Sequence, residues 1–168
     1  MKLMKFKKSH LVISSFIFLL LILAGLTVTG SVGKNQLEVA LNNSCSLDNL
    51  GGATKESPNQ YSVSSLTSSV TFQGWIANAA SGQSPEMFTI SLADEKNYVK
   101  WSKDFKTDFP RPDVLAAYGA GNEMLVSGFN AGADLVKLVP GTYTVLLKGQ
   151  YSGNQILCST LNTLVIKD

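Results

Sequence analysis

The stretch SVTFQGWIAN, residues 69–78, alternates side chains of opposite character. Val70, Phe72 and Ile76 share one face of an extended chain and Thr71, Gln73 and Trp75 the other, a period of two that belongs to a strand with one face buried and one in water. Residues 87–93, MFTISLA, repeat the pattern, with Phe88, Ile90 and Leu92 against Thr89 and Ser91. Residues 142–148, TYTVLLK, do so with Tyr143, Val145 and Leu147 against Thr144. Shorter runs at 36–41, 61–66, 97–101, 124–129, 134–138, 155–159 and 163–166 fit the same scheme. Turn-forming residues separate them, among them Gly51 with Gly52, Ser81 with Gly82, Gly121 with Asn122 and Pro140 with Gly141. Many short strands at close spacing predict two packed sheets: an all-β, immunoglobulin-like antiparallel β-sandwich. One segment departs from the pattern. Residues 112–121, PDVLAAYGAG, offer Asp113 as an N-cap, a run of good helix formers and Gly119 just past the end, which predicts a short helical insertion between strands.

The first thirty residues lie outside that scheme. Lys2, Lys5, Lys7 and Lys8 precede the uncharged run LVISSFIFLLLILAGLTV, residues 11–28, the order of an export signal. A helix of that length extends about 27 Å, close to the hydrocarbon thickness of a bilayer, so an uncleaved anchor is expected. The positive-inside rule then sets residues 1–10 as a cytoplasmic basic tail and 11–30 as a transmembrane signal-anchor. Residues 31–43 follow as linker or first strand, and 44–168 as a periplasmic domain of a single-pass bacterial inner-membrane protein. Small residues between Val28 and Gly33 also offer a peptidase site, and cleavage there would release the domain. With 168 residues and 45% hydrophobic composition, one packed domain after this segment uses the whole chain.

Beyond the four N-terminal lysines, ten basic residues face all twelve acids, a formal charge of −2 in place of the whole chain's +2. The basic residues of this part are scattered, so nothing supports nucleic-acid binding. The sole histidine, His10, lies in the export segment, which removes Ser-His-Asp, Cys-His and histidine-based metal chemistry from the exported domain. Asp94 with Glu95 and Asp104 with Asp108 lack the calcium-loop pattern and read as solvated charges. No catalytic residue, cofactor or metal site is therefore assigned. Two cysteines remain, Cys45 and Cys158, each in an alternating apolar run, and an oxidising compartment predicts a disulfide between them.

The only arginine stands in DFPRPDVL, residues 108–115. Pro110 and Pro112 stiffen the segment and hold Phe109 and Arg111 toward extended backbone. A guanidinium so held suits bidentate pairing with a carboxylate. Asp113, another acid brought near by the fold, or an anionic ligand would satisfy it, and an internal clamp is the expected role. Trp75 falls on the polar face by strict alternation, where it would stack on a sugar. A bulge at Gly74 would instead turn it into the core as the packing centre of the sandwich, and that is the expectation. Trp101 is also expected to be buried, with Tyr98 and Tyr118 left as weaker surface candidates.

In order along the chain, Cys45-Ser-Leu-Asp48, Gly74-Trp75, Arg111-Pro-Asp113-Val114, Ser127-Gly128-Phe129, Gly141-Thr-Tyr143 and a late Cys158 resemble the small exported β-sandwich domains of bacteria. Some of these are associated with membrane glycosyltransferases and surface-polysaccharide assembly. The resemblance covers the chain from Cys45 onward and implies that Trp75, Arg111, Asp113, Gly128 and Phe129 form a structural motif. The polytopic membrane portion of a glycosyltransferase is absent from this sequence. A membrane-anchored, non-catalytic accessory module is therefore expected, held to the bilayer by residues 11–28 and facing an envelope membrane protein or a glycan. The alternative is a secreted carbohydrate-binding or carbohydrate-active protein released by signal cleavage.

Overall fold

A computed structural model describes residues 45–67, 69–79, 81–118, 121–151 and 154–168. Among the described residues, nine strands, one α-helix and one 3-10 turn follow in chain order: β1 (Cys45–Gly51), β2 (Thr54–Ser57), β3 (Gln60–Ser64), β4 (Ser69–Ile76), β5 (Met87–Ala93), β6 (Val99–Lys106), α1 (Pro112–Tyr118), the 3-10 turn Asn122–Met124, β7 (Gly128–Asp134), β8 (Gly141–Tyr151) and β9 (Asn154–Lys167). They form a three-stranded sheet, β1-β4-β7, and a six-stranded sheet, β2-β3-β9-β8-β5-β6. The core fills the space between them. Val70, Phe72 and Ile76 from β4 meet Phe88, Ile90 and Leu92 from β5, Val145 and Leu147 from β8, and Leu164 and Ile166 from β9. The alternation read from these runs thus selects the buried face in all three strands where it is clearest.

The expected sandwich is present, with one departure from a fully antiparallel arrangement. β3 pairs with β9 in parallel, Gln60 opposite Thr163 through Ser64 opposite Lys167, whereas the other strand pairs are antiparallel. Antiparallel neighbours can be joined by tight turns, but β3 and β9 are separated by the whole intervening chain, and no local signal sets their direction. β2 is entirely exposed and shows no apolar alternation. Residues 155–159 and 163–166 belong to one strand, β9, interrupted where the register with β8 shifts between Thr144 and Leu146. There Leu161 adopts φ 60°. The buried amide of Asn162 donates to the Thr160 carbonyl at 2.9 Å and reaches across to the Leu47 carbonyl at 3.5 Å.

Two shorter runs read as strands are not. Residues 124–129 hold the end of the 3-10 turn and the start of β7, and 134–138 hold the end of β7 and a turn. Asp113 does not cap α1. The helix opens at Pro112, where a fixed φ and a missing N–H cost nothing, and Asp113 lies inside the first turn. Gly119 and the run 36–41 lie outside the described residues. So do the tail at 1–10, the anchor at 11–30 and the linker at 31–43. Among the described residues no helix is long and apolar enough to cross a membrane.

The Cys45–Cys158 disulfide forms as expected, with the Cα atoms 6.2 Å apart, and joins β1 of one sheet to β9 of the other. Pairing of Cys45 with Ile76 and of Trp75 with Gly128 places these residues at one end of the three-stranded sheet. Gly51, Ser69 and Asp134 lie at the opposite end. The Trp101 indole donates to the Asp134 carbonyl at 3.1 Å, so the β5–β6 turn and the start of β8 share that second end.

Candidate functional site

The arginine sits in a closed set of partners. Its Nε and Nη2 donate to the two carboxylate oxygens of Asp113 at 2.9 and 2.7 Å, and Nη1 donates to Asp48 at 2.7 Å. The planar fork of Arg111 meets the carboxylate of Asp113 edge to edge, a geometry an ammonium cannot reproduce. Asp48 arrives from β1 at the point where its register against β4 shifts, between Leu47 and Asn49. The extra residue of a bulge re-aims its side chain, and here that carries Asp48 to the guanidinium. The Arg111 side chain is only 20% exposed. Its hydrogen bond holds the Asp113 carboxyl down at about 2, against an ordinary 3.8, and the two carboxylates hold the guanidinium proton more tightly than usual.

Backbone pairing makes the clamp a joint. Phe109 and Gly128 exchange N–H···O bonds of 3.1 and 2.9 Å, and the Arg111 N–H donates to the Leu125 carbonyl at 2.6 Å. A Cβ on Gly128 would meet the Arg111 Cγ and the Phe109 carbonyl oxygen, each at 2.8 Å. Gly128 therefore lets the proline-stiffened segment lie flat against β7. The next residue, Phe129, is buried against Phe88, ring centroids 4.7 Å apart. A Cβ on Gly74 would meet the Phe129 ring at 2.9 Å and overlap the Ser46 carbonyl oxygen. The five residues expected to form a motif are thus one connected assembly: Arg111 holds Asp113, leans on Gly128, and Gly128 leads into Phe129, which packs above Gly74 beside Trp75.

Trp75 corrects one expectation. β4 pairs with β7 without interruption through Gly74 and Trp75, so no bulge turns the indole inward. The indole points to the outer face, as parity dictates, and is buried there by the helical insertion. It packs with Ala77, Val114 and Met124 in a second cluster separate from the main core, with the Tyr118 ring 5.6 Å away. Trp75 is the seat of α1 and not the packing centre of the sandwich. Trp101, expected to be buried, is half-buried over Phe72 at the open flank of β6.

A cleft of about 460 Å³ opens at the other end, between the turn at 94–100 and the start of β8 at 139–143. Asp94 organises the turn: its Oδ1 accepts from the Lys96 and Tyr98 N–H groups at 3.0 and 2.9 Å, and its Oδ2 pairs with the Lys100 ammonium at 3.1 Å. These bonds, led by that from Tyr98, hold its carboxyl below the usual range. Tyr98 is 63% exposed, with the Lys100 ammonium over its ring at 5.5 Å from the centroid. Across the cleft the Tyr143 hydroxyl donates to the Val139 carbonyl at 2.7 Å. Tyr98 carried only a weak signal in sequence, and Asp48, quoted only as part of a resemblance, carried no sign of pairing with Arg111, because that role depends on a bulge that pairing with β4 creates. Among the described residues no cluster of three or more His, Cys, Asp or Glu side chains is placed to hold a metal ion.

No protein-family model matches the sequence, nor does any curated protein. Among solved structures, the endo-beta-1,4-mannanase from Thermotoga petrophila is similar over 79% of this chain and 21% of that one, at 11% identity and a TM-score of 0.39.

Proposed function

We propose that this chain is an accessory module of the bacterial envelope, anchored in the inner membrane by residues 11–28, whose immunoglobulin-like domain binds or positions a partner in surface-polysaccharide assembly and performs no catalysis. The Cys45–Cys158 disulfide is the observation that carries the reading. A bond that ties the two sheets together belongs to a domain matured in an oxidising compartment, which a signal followed by translocation supplies. The strand order supports the immunoglobulin-like assignment: β1-β4-β7 faces a sheet in which β3 runs parallel to β9 and β9-β8-β5-β6 continues from it. The closed arrangement of Arg111 with Asp113 and Asp48 supports a framework role for the motif, since its donors are directed to carboxylates of the chain itself.

Mass spectrometry of the mature N-terminus in fractionated cells tests the reading. An intact Met1 in the membrane fraction is expected, and a soluble species beginning between Ser31 and Lys34 would overturn the anchor. The exposed Tyr98 at the cleft favours a second reading, in which such cleavage frees the same sandwich as a secreted carbohydrate-binding protein.

A further inference from the structure

We infer that the cleft between the 94–100 turn and the start of β8 is a binding site for a neutral oligosaccharide, with the Tyr98 ring as its stacking platform. The inference deepens the reading of an exported binding module by assigning it a site and a ligand class. Tyr98 supplies the first reason. Tyr98 is exposed, with the Lys100 ammonium over one face of its ring, yet the backbone under it is held by four bonds within one turn. Besides the two to the Asp94 carboxylate, the Asp94 N–H donates to the Tyr98 carbonyl at 3.0 Å and the Asn97 N–H to the Asp94 carbonyl at 2.8 Å. Asn97 takes φ 63° to close it, a conformation asparagine tolerates better than most side chains. A ring presented on a pre-organised turn loses little freedom when something stacks on it.

The opposite wall is held as well, by the bond from the Tyr143 hydroxyl to Val139. The space between the walls, about 460 Å³, lies within the range of small-ligand sites. Charge and hydrogen bonding then select the ligand. Two carboxylates, Asp94 and Glu95, and two ammoniums, Lys96 and Lys100, line the cleft, with Asp94 and Lys100 already paired at 3.1 Å, so neither sign is in excess. A polyanion finds no net field there. A polyhydroxylated ligand, which donates and accepts from each hydroxyl and offers an apolar C–H face to an aromatic ring, matches both the mixed rim and the platform. The cleft also lies at the end of the sandwich opposite Cys45.

The full chain in a non-glycosidic detergent is titrated with cellohexaose, mannohexaose and chitohexaose, and with hexagalacturonate as the charged comparison. At least one neutral hexaose is expected to bind saturably at one per chain. Tyr98→Ala is expected to weaken it tenfold or more and Tyr98→Phe less than threefold, because the ring and not the hydroxyl makes the contact. Binding by none of the neutral three, binding by the uronate alone, or undiminished binding by Tyr98→Ala overturns the inference. Should Tyr98→Ala fail to fold, saturation transfer from the Tyr98 ring of the native chain to sugar protons decides: its presence supports the site and its absence overturns it. Failure of any of these leaves the membrane location untouched, since the mature N-terminus measures that separately.

Discussion

Arg111 gains its partners from two places that differ in how far the sequence discloses them. Asp113, two residues away, is an evident candidate, whereas Asp48 comes from the far end of the domain's sequence through a bulge that exists only once β1 lies on β4. The Asp113 and Asp48 side chains are 64% and 44% exposed, which places the cluster between a surface pair and a buried one. Arg111→Ala is accordingly expected to destabilise the domain by about 1–3 kcal/mol, through lost pairing and lost packing on Gly128. Arg111→Lys should cost less, about 1 kcal/mol, because it keeps the charge and loses the fork. Chemical denaturation of the two variants measures both, and an unchanged midpoint for Arg111→Ala would refute the clamp. The carboxyl of Asp113 adds an acid dependence. Its folded value lies below its unfolded one, so its stabilisation is fully present above about pH 4 and is lost as the pH falls toward 2. Unfolding midpoints between pH 5 and 2 should therefore decline less steeply in Arg111→Ala than in the parent chain.

Strands announce themselves here wherever one face is dry and the other wet. Val70, Phe72 and Ile76 point inward as their spacing requires, and the same parity gives the correct face for β5 and for Tyr143, Val145 and Leu147 in β8. The covering of the outer face is a different matter. Parity places Trp75 outside, and what buries it is α1, whose Val114 lies about forty residues further along the chain. No pattern within β4 can report that. β2 leaves no such signal, because its four residues, Thr54 to Ser57, have no dry face at all. Removing the indole should uncouple the insertion from the sheet: Trp75→Ala is expected to cost about 3–4 kcal/mol. Amide exchange separates this from a general loss of stability. The Leu115 N–H, bonded to the Arg111 carbonyl, should exchange much faster, while amides in β5 and β8 keep protection nearer that of the parent. Equal losses in all three elements would show that α1 is not a separable layer.

The two sheets meet across a core that contributes by burial and across one covalent link. Closing a loop of 113 residues by Cys45–Cys158 restricts the unfolded chain and, in the chain-entropy account, stabilises the fold by about 5 kcal/mol. Reduction is expected to lower the urea midpoint markedly with the sheets still formed at low denaturant, and an unaltered midpoint would contradict it. That the cysteines pair was legible from compartment and position; that they pair across the sheets, and that β3 runs parallel to β9, depends on which strands become neighbours. The link also decides how the molecule carries load. If the N-terminal segment is tethered in a membrane and a partner pulls on the domain's C-terminal end, tension passes from Cys45 directly to Cys158. β2 through β8 are bypassed. Under force the oxidised domain cannot release the 113-residue loop between the two cysteines, whereas the reduced one can yield it, a length of about 400 Å. Optical-trap extension before and after reduction reads the difference directly. A domain built this way resists extension between Cys45 and Cys158 for as long as the bond is intact.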